Sequence, residues 1–374
     1  MREMKLNKLS IQHYKNIEDA QLQFSPRVNC LIGDNGMGKT NILDAIYYLS
    51  FCKSYMNLSD SIVMNHDAQY MMLQGHYTRR DVDEDISISM QRGKRKIARR
   101  GGKEYKRLSN HIGLLPLVMI SPIDVDLIRG SGEVRRRFID QIISQTDTGY
   151  LDALIRYTKA VEQRNSMIKQ RFTDALLYET VEQQMCDSGT YIHDVRHRWI
   201  EQFSPIFMRY YAAIAGENEP VEMHYNSHLA DASMKCVLDE SRSRDMILGH
   251  TSRGVHRDDI ELMLGEHSMR KTGSQGQCKT YTVALRLAQF EFLKEANATT
   301  PILLLDDIFD KLDASRVESI MEVVSNDRFG QIFITDTNRD HLNEIIARLK
   351  GDNAMFTVKN GTVTPIVATG GHNA

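Results

Sequence analysis

Eight residues near the amino end, Gly33-Asp34-Asn35-Gly36-Met37-Gly38-Lys39-Thr40, limit what this chain can fold into more than any other stretch, because they satisfy G-x-x-x-x-G-K-S/T. Glycines at these positions let backbone N–H groups converge on phosphate oxygens without a Cβ in the way. The preceding Val28-Asn29-Cys30-Leu31-Ile32 is a short apolar run that reads as a buried strand, and Asn41-Ile42-Leu43-Asp44-Ala45-Ile46-Tyr47-Tyr48-Leu49 spaces its apolar residues for a helix. Strand, glycine loop and helix in that order distinguish a phosphate cradle from a plain glycine-rich turn. The helix start adds its partial positive charge. Residues Gly33 to Asn41 are therefore the expected nucleotide contacts, with Lys39 reaching the β and γ phosphates and Thr40 ligating Mg²⁺.

Two distal motifs extend this reading. Ile302-Leu303-Leu304-Leu305 is a second buried strand and ends at Asp306-Asp307. A carboxylate at the end of such a strand is where a nucleotide-bound Mg²⁺ is held, so Asp306 is the candidate metal ligand with Thr40. Asp307 would then face the γ-phosphate and polarise the attacking water. Gly273-Ser274-Gln275-Gly276-Gln277 precedes a long apolar helix from about Tyr281 to Phe292 and offers a second anion site in Ser274, Gly276 and Gln277. Taken alone, an ordinary helix cap with Ser274 at N-cap and Gln277 at N3 explains it better.

With 374 residues, the chain has room for two or three structural units at roughly 150 residues each. No apolar run approaches the ~20 residues of a membrane span. Cys30, Cys52, Cys186, Cys236 and Cys278 are scattered, odd in number and never spaced C-x-x-C, which argues against a disulfide framework or zinc ribbon. A reducing, cytoplasmic setting without membrane contact is the expectation. Tyr70 to Arg107 alternates as β structure, with a hairpin turn at Gly101-Gly102. Glu133 to about Gly216 reads as mostly helix, an antiparallel arm or bundle. Leu151, Leu154, Ile155 and Thr158 follow helical spacing, as do Val181, Met185, Ile192, Val195, Trp199 and Phe203. The expected fold class is α/β. An ATPase head would form from residues 1–120 and 251–374, with a mainly helical lobe at 121–250 inserted between them.

Charge is segregated. The net charge is −2, yet Arg92, Lys94, Arg95, Lys96, Arg99, Arg100, Lys103, Lys106 and Arg107 face Glu104 alone within one short stretch. Arg92 to Lys103 are accordingly candidate DNA-phosphate contacts. A solvated hairpin is the bland alternative. Only Tyr105 interleaves, so base stacking is not supported. Arg135, Arg136 and Arg137 form a second cluster, equally explained by pairing with carboxylates such as Asp140.

Together these motifs resemble the ATP-binding-cassette heads of the SMC/Rad50 group, with Asp310-Lys311-Leu312-Asp313 in the place of their D-loop and Ser274-Gln275-Gly276-Gln277 in that of their signature motif. The chain more closely resembles the RecF family of bacterial recombination mediators. The matching stretches are the glycine loop, Ser121-Pro122-Ile123-Asp124 with Leu127-Ile128, Arg135 to Asp140, Gly254-Val255-His256-Arg257-Asp258-Asp259, and Leu303 to Asp307. The resemblance implies a head that dimerises on ATP, with Lys39 of one copy and Ser274 of the other gripping one triphosphate. It also implies slow, DNA-stimulated hydrolysis as a release switch, binding to single-stranded DNA and gap junctions, and recombinase loading with RecO- and RecR-type partners in replication and SOS-linked repair. Three positions stand out. Val255 replaces the family's usual proline, Asp336 falls where cassette ATPases carry a switch histidine, and Asp307 takes the place of a catalytic glutamate. The alternative function is a P-loop kinase acting on a small molecule, which would leave Ser274 idle. A long-armed structural protein would need sustained heptads, and none is found.

Overall fold

The computed structural model describes residues 3–216, 219–308, 314–325, 328–348 and 352–366. It forms two compact units, Met1–Pro122 with Gln289–Ala374, and Ile123–Ala288. The expected segment 251–374 is thus divided between them, within helix Gln275–Asn297.

The first unit stacks two sheets on one helix. Its antiparallel sheet runs Ile17–Gln23, Met4–Tyr14, Tyr70–Arg79, Val82–Gln91, Ile97–Arg100, Lys103–Glu104. The alternation seen at Ile86 to Met90 is real, with Ile86, Ile88 and Met90 buried and Ser87 and Ser89 turned outward. The hairpin turn falls at Gly101 and Gly102, whose φ values of 53° and 77° only glycine adopts freely. The second sheet runs Thr362–Ile366, Asn353–Lys359, Val28–Ile32, Ile332–Asp336, Ile302–Asp306, Leu117–Ile120. All neighbours in it are parallel except the first pair. Val28–Ile32, Ile332–Asp336, Ile302–Asp306 and Leu117–Ile120 are buried along nearly their whole length, which is why they read as mainly apolar runs.

Helix Lys39–Phe51 lies in the core formed by both sheets, and 11 of its 13 residues are buried. Asp44 is wholly buried within it. That carboxylate is tolerated because Lys15 pairs with it at 2.6 Å, while the Tyr14 and Ser54 hydroxyls and the Tyr55 N–H donate to it.

The second unit contains helices Gly132–Ser144, Thr148–Lys169, Ala175–Ala215 and Met234–Leu248, with a small sheet ordered His267–Ser268, Asp259–Leu264, Val221–Asn226. Val181, Met185, Ile192, Val195, Trp199 and Phe203 are buried as their spacing predicts. Thr148–Lys169 is helical, as the spacing of Leu151, Leu154, Ile155 and Thr158 predicts, but those residues are not its buried face. Ile155 is exposed, and the buried stripe is Tyr150, Ala153, Tyr157, Ala160, Arg164, Met167 and Ile168. Tyrosine, alanine and an arginine carry that stripe, so an aliphatic count misses it. Arg164 is buried because Glu182, Asp245 and Thr251 take its N–H groups at 2.7–2.9 Å.

A second buried guanidinium, Arg196 of Ala175–Ala215, is 2% exposed. It donates to Asp140 at 2.8 Å, Asp258 at 2.9 Å and the Val255 carbonyl at 2.8 Å. Arg196→Met would leave two carboxylates without their counter-charge, and we expect a loss of about 3–5 kcal/mol in the denaturant unfolding free energy. Adding Asp258→Asn should recover part of that loss.

Candidate functional site

The strands of the parallel sheet end together, and the crevice outside their carboxyl ends is where open α/β sheets bind ligands. Four segments leave the sheet there. The glycine loop follows Val28–Ile32, Ser121 follows Leu117–Ile120, Asp307 follows Ile302–Asp306, and Ile332–Asp336 ends at the expected switch position. Register aligns Leu31 with Thr335 and Thr335 with Asp306, so residues distant in sequence share one row.

The loop geometry explains its glycines. Gly36 and Gly38 have φ of 80° and 114°. A Cβ on Gly33 would stand 2.2 Å from the Val358 carbonyl oxygen. No side chain caps helix Lys39–Phe51 at Gly38, so its first N–H groups open onto the loop. Lys39 is 4% exposed, and its ammonium donates to the carbonyls of Gly33 at 2.7 Å and Asp34 at 3.2 Å. Those bonds hold it across the loop mouth.

Asp306 is also 4% exposed. The Thr40 hydroxyl donates to its two oxygens at 2.9 and 3.1 Å, the Thr335 hydroxyl at 2.8 Å, and that of Ser121 at 3.3 Å. Burial raises its pKa above the ordinary carboxylate value, against the lowering effect of these hydroxyls and of Lys39. Asp307 stands in left-handed backbone at φ 47°, and its N–H donates to the Thr335 hydroxyl at 3.0 Å. Strain of this kind gathers where a side chain must be aimed. Asp336 accepts from the Asn338 N–H at 2.8 Å. Residues 310–313, in the D-loop position, lie outside the described residues.

Neighbours without a sequence-assigned role support the loop. Asn16 Nδ2 donates to the Met37 carbonyl at 3.3 Å, and its Oδ1 accepts from Asn41 at 2.7 Å. The turn at Asn360-Gly361 reaches the same place, where the Gly361 N–H donates to Met37 at 2.9 Å. Asn-Gly between two alternating runs is a hairpin signal that could have located this turn.

Ser274, Gly276 and Gln277 belong to the second unit, at the start of helix Gln275–Asn297. Ser274 Oγ accepts from the Gln277 N–H at 3.2 Å, and Gln277 Oε1 accepts from the Ser274 N–H at 3.0 Å. This is the reciprocal capping box. Gln277 Nε2 is held by Glu219 at 2.9 Å. Ser274 remains exposed. Because its hydroxyl oxygen accepts the cap bond, its proton is free to donate to an anion.

The basic stretch is more engaged than its charge count suggests. Arg92 is bound to the carbonyls of Asn65, His66 and Ala68, and Arg95 pairs with Glu104. Lys96 pairs with Asp60 at 2.9 Å, and Arg100 pairs with Glu84. Arg99 is half-buried beside Ser89. Lys94, Lys103, Lys106 and Arg107 are exposed, with no ion pair among the described residues. The second arginine cluster is structural. Arg135 is bidentate to Asp259, Arg136 donates to the Asp258 carbonyl, and Arg137 pairs with Glu133. Asp140 instead serves Arg196.

That arrangement also accounts for the Gly254 to Asp259 block. Gly254 has φ 122°, and the turn after it is tied by the Arg257 N–H to Gly254 at 2.9 Å and by Arg196 to Val255. Hydrogen bonds thus brace the turn at Val255, where a proline is expected. His256 sits between the Tyr157 hydroxyl at 2.9 Å and the Thr251 carbonyl at 3.1 Å.

No helix among the described residues is long and apolar enough to cross a membrane, and none of their His, Cys, Asp and Glu side chains form a ready-made metal cluster of three or more. The RecF/RecN/SMC N-terminal domain profile matches residues 5–363. The chain is similar to a Parabacteroides distasonis protein named DNA replication and repair protein RecF, 53% identical over 97% of this chain and 100% of that one. A Bacteroides thetaiotaomicron protein of the same name is 49% identical over 98% and 100%. Among solved structures, the recombination mediator RecF with ATP superposes at a TM-score of 0.88, with 27% identity over 97% of this chain and 98% of that one. A Pyrococcus furiosus Smc head domain gives 0.59 at 16% identity over 97% and 96%, a likeness of fold.

His256 supplies a pH test of the second unit. Burial pushes its imidazole down from 6.5 to about 4. The unfolded chain takes up this proton near 6.5, whereas the folded chain resists until about 4, so stability present above 6.5 is lost as pH falls through that window. At roughly 1.4 kcal/mol per pH unit, up to about 3 kcal/mol is at stake. Urea midpoints should drop less between pH 7 and 5 in His256→Gln than in wild type.

Proposed function

Because this chain belongs to the RecF family, within the RecF/RecN/SMC N-terminal class of ATPase heads, we propose that it is an ATP-dependent DNA-binding protein of replication and recombinational repair. The observation that carries this reading is the Thr40 hydroxyl on the Asp306 carboxylate, 266 positions apart in sequence. It joins the phosphate loop to the distal carboxylate at the ends of parallel strands.

The residues divide the work. The amides of Gly33 to Thr40 cradle the triphosphate, and Lys39 moves from its carbonyl contacts to the β and γ phosphates. Thr40 and Asp306 form an oxygen-donor pair that suits Mg²⁺, a hard cation that takes few protein ligands and completes its shell with phosphate and water. Mg²⁺ held there would neutralise phosphate charge. Asp307 polarises the attacking water. Its side chain is one methylene shorter than glutamate, and geometry at a reacting centre is demanding, so hydrolysis is slow. Ser274 grips the triphosphate bound by a second copy, which makes ATP the bond between two protomers and hydrolysis their release. The dimer then engages single-stranded DNA and gap junctions through exposed cations such as Lys94 and Lys103, and it works with RecO- and RecR-type partners to load recombinase.

Lys39→Met should abolish both ATP binding and ATP-dependent dimers in sedimentation. Ser274→Arg should leave ATP binding by the monomer intact and remove the dimer alone. Dimers that persist in Ser274→Arg would refute the shared-nucleotide arrangement. Turnover without DNA should stay below the enzyme median of ~10 s⁻¹.

A further inference from the structure

Base stacking finds no support in the basic stretch itself. Its one aromatic, Tyr105, is half-buried with its ring against His111 at 5.3 Å. Pairing in the antiparallel sheet brings another aromatic to that stretch. Tyr70 opens strand Tyr70–Arg79 opposite Gln91, where the basic turn begins. Tyr70 is 46% exposed, and His13 packs edge-on against its ring at 4.9 Å and 88°. The chain turns at Gly93, φ 76°, and the Lys94 N–H donates to the Gln91 carbonyl at 2.9 Å. Arg92 donates to the Asn65, His66 and Ala68 carbonyls at 2.9–3.1 Å, fastening the loop before Tyr70 to the turn after Gln91. A braced aromatic ring thus lies across the strand pair from the start of the turn that carries Lys94, an exposed lysine with no ion pair among the described residues. The loop before Tyr70 also carries Asp67, fully exposed, with its carboxylate 3.8 Å from His66.

We propose that Tyr70 is a stacking platform for an unpaired base of single-stranded DNA, with Lys94 on the adjoining phosphate. This deepens the DNA-binding reading and rests on it. Every base has a π face, so the contact tolerates any sequence. The His13 contact and the pinned loop fix the ring before binding, which lowers the ordering cost. Bases inside a duplex are already stacked on their neighbours, so the ring discriminates single strands from duplex.

The test uses the full chain with ATP. Binding to a single-stranded oligonucleotide carrying 2-aminopurine and to a blunt duplex is followed by anisotropy at two salt concentrations. Tyr70→Ala should weaken single-strand binding about 5- to 150-fold, leave duplex binding and the salt slope unchanged, and abolish 2-aminopurine quenching. Tyr70→Phe should behave as wild type. Lys94→Gln with Lys103→Gln should weaken both DNAs and flatten the salt slope. Unchanged single-strand affinity and quenching in Tyr70→Ala, with the lysine variant weakened, overturns the stacking site and leaves the DNA-binding reading standing. Tyr70→Phe failing like Tyr70→Ala also overturns it. Wild type binding neither DNA at either salt removes the parent reading.

Discussion

The Thr40 hydroxyl donates to the Asp306 carboxylate, and that contact requires the rest of the first unit to be in place. Thr40 lies in the first turn of a helix buried in the core of both sheets, while Asp306 ends a strand separated from Val28–Ile32 by Ile332–Asp336. A slip of one residue in either pairing would turn Asp306 to the other face of the sheet. The carboxylate is nearly buried, and burial opposes its charge. The hydroxyls of Thr40, Thr335 and Ser121 offset that penalty and also fix where the oxygens point. One arrangement therefore offsets the burial of the carboxylate and would, in the proposed function, aim it at a metal ion.

What could be read from the residues follows the range of the forces involved. Glycine loop, flanking strand and helix are contiguous, so local pattern suffices to assign them. Asp306 was legible because Ile302 to Leu305 is an unbroken apolar run, the signature of a strand covered on both faces. Asn16 and Gly361 were not, because their importance arises where a loop and a hairpin turn meet Met37. The buried stripe of Thr148–Lys169 escaped for another reason. It contains Arg164, and only Glu182, Asp245 and Thr251 make a guanidinium acceptable there. Tyr70 is the surface counterpart, distant from the basic turn along the chain and beside it across two strands.

In the second unit, the Arg135 to Asp140 and Gly254 to Asp259 blocks prove to be parts of one charge network. Asp140 comes from the first block and Asp258 from the second, and Arg196 joins them from a helix between. Arg135 and Arg136 add bonds from the first block to Asp259 and the Asp258 carbonyl of the second. Removing any one charge leaves its partners desolvated and unmatched, which constrains all of them together. These pairings explain why arginines that look like a nucleic-acid patch are engaged within the fold. Lys94, Lys103, Lys106 and Arg107 of the first unit are a different population, because they are exposed and have no ion pair among the described residues.

Ser274 shows why a helix cap and a nucleotide clamp need not be rival readings. A cap uses the hydroxyl oxygen as an acceptor and leaves the O–H to donate. The reciprocal bond from Ser274 N–H to Gln277 then fixes the backbone that carries the hydroxyl. An anion arriving from another molecule would meet a donor oriented in advance, next to the positive end of a helix. An exposed helix start needs only one such cap for stability, and alanine there costs ~1 kcal/mol. Arginine fits neither role, but the two losses differ in size and kind. The cap is a local loss that leaves the monomer folded and able to bind nucleotide through Lys39, whereas the clamp is lost to a cation bulky enough to hold the second copy away.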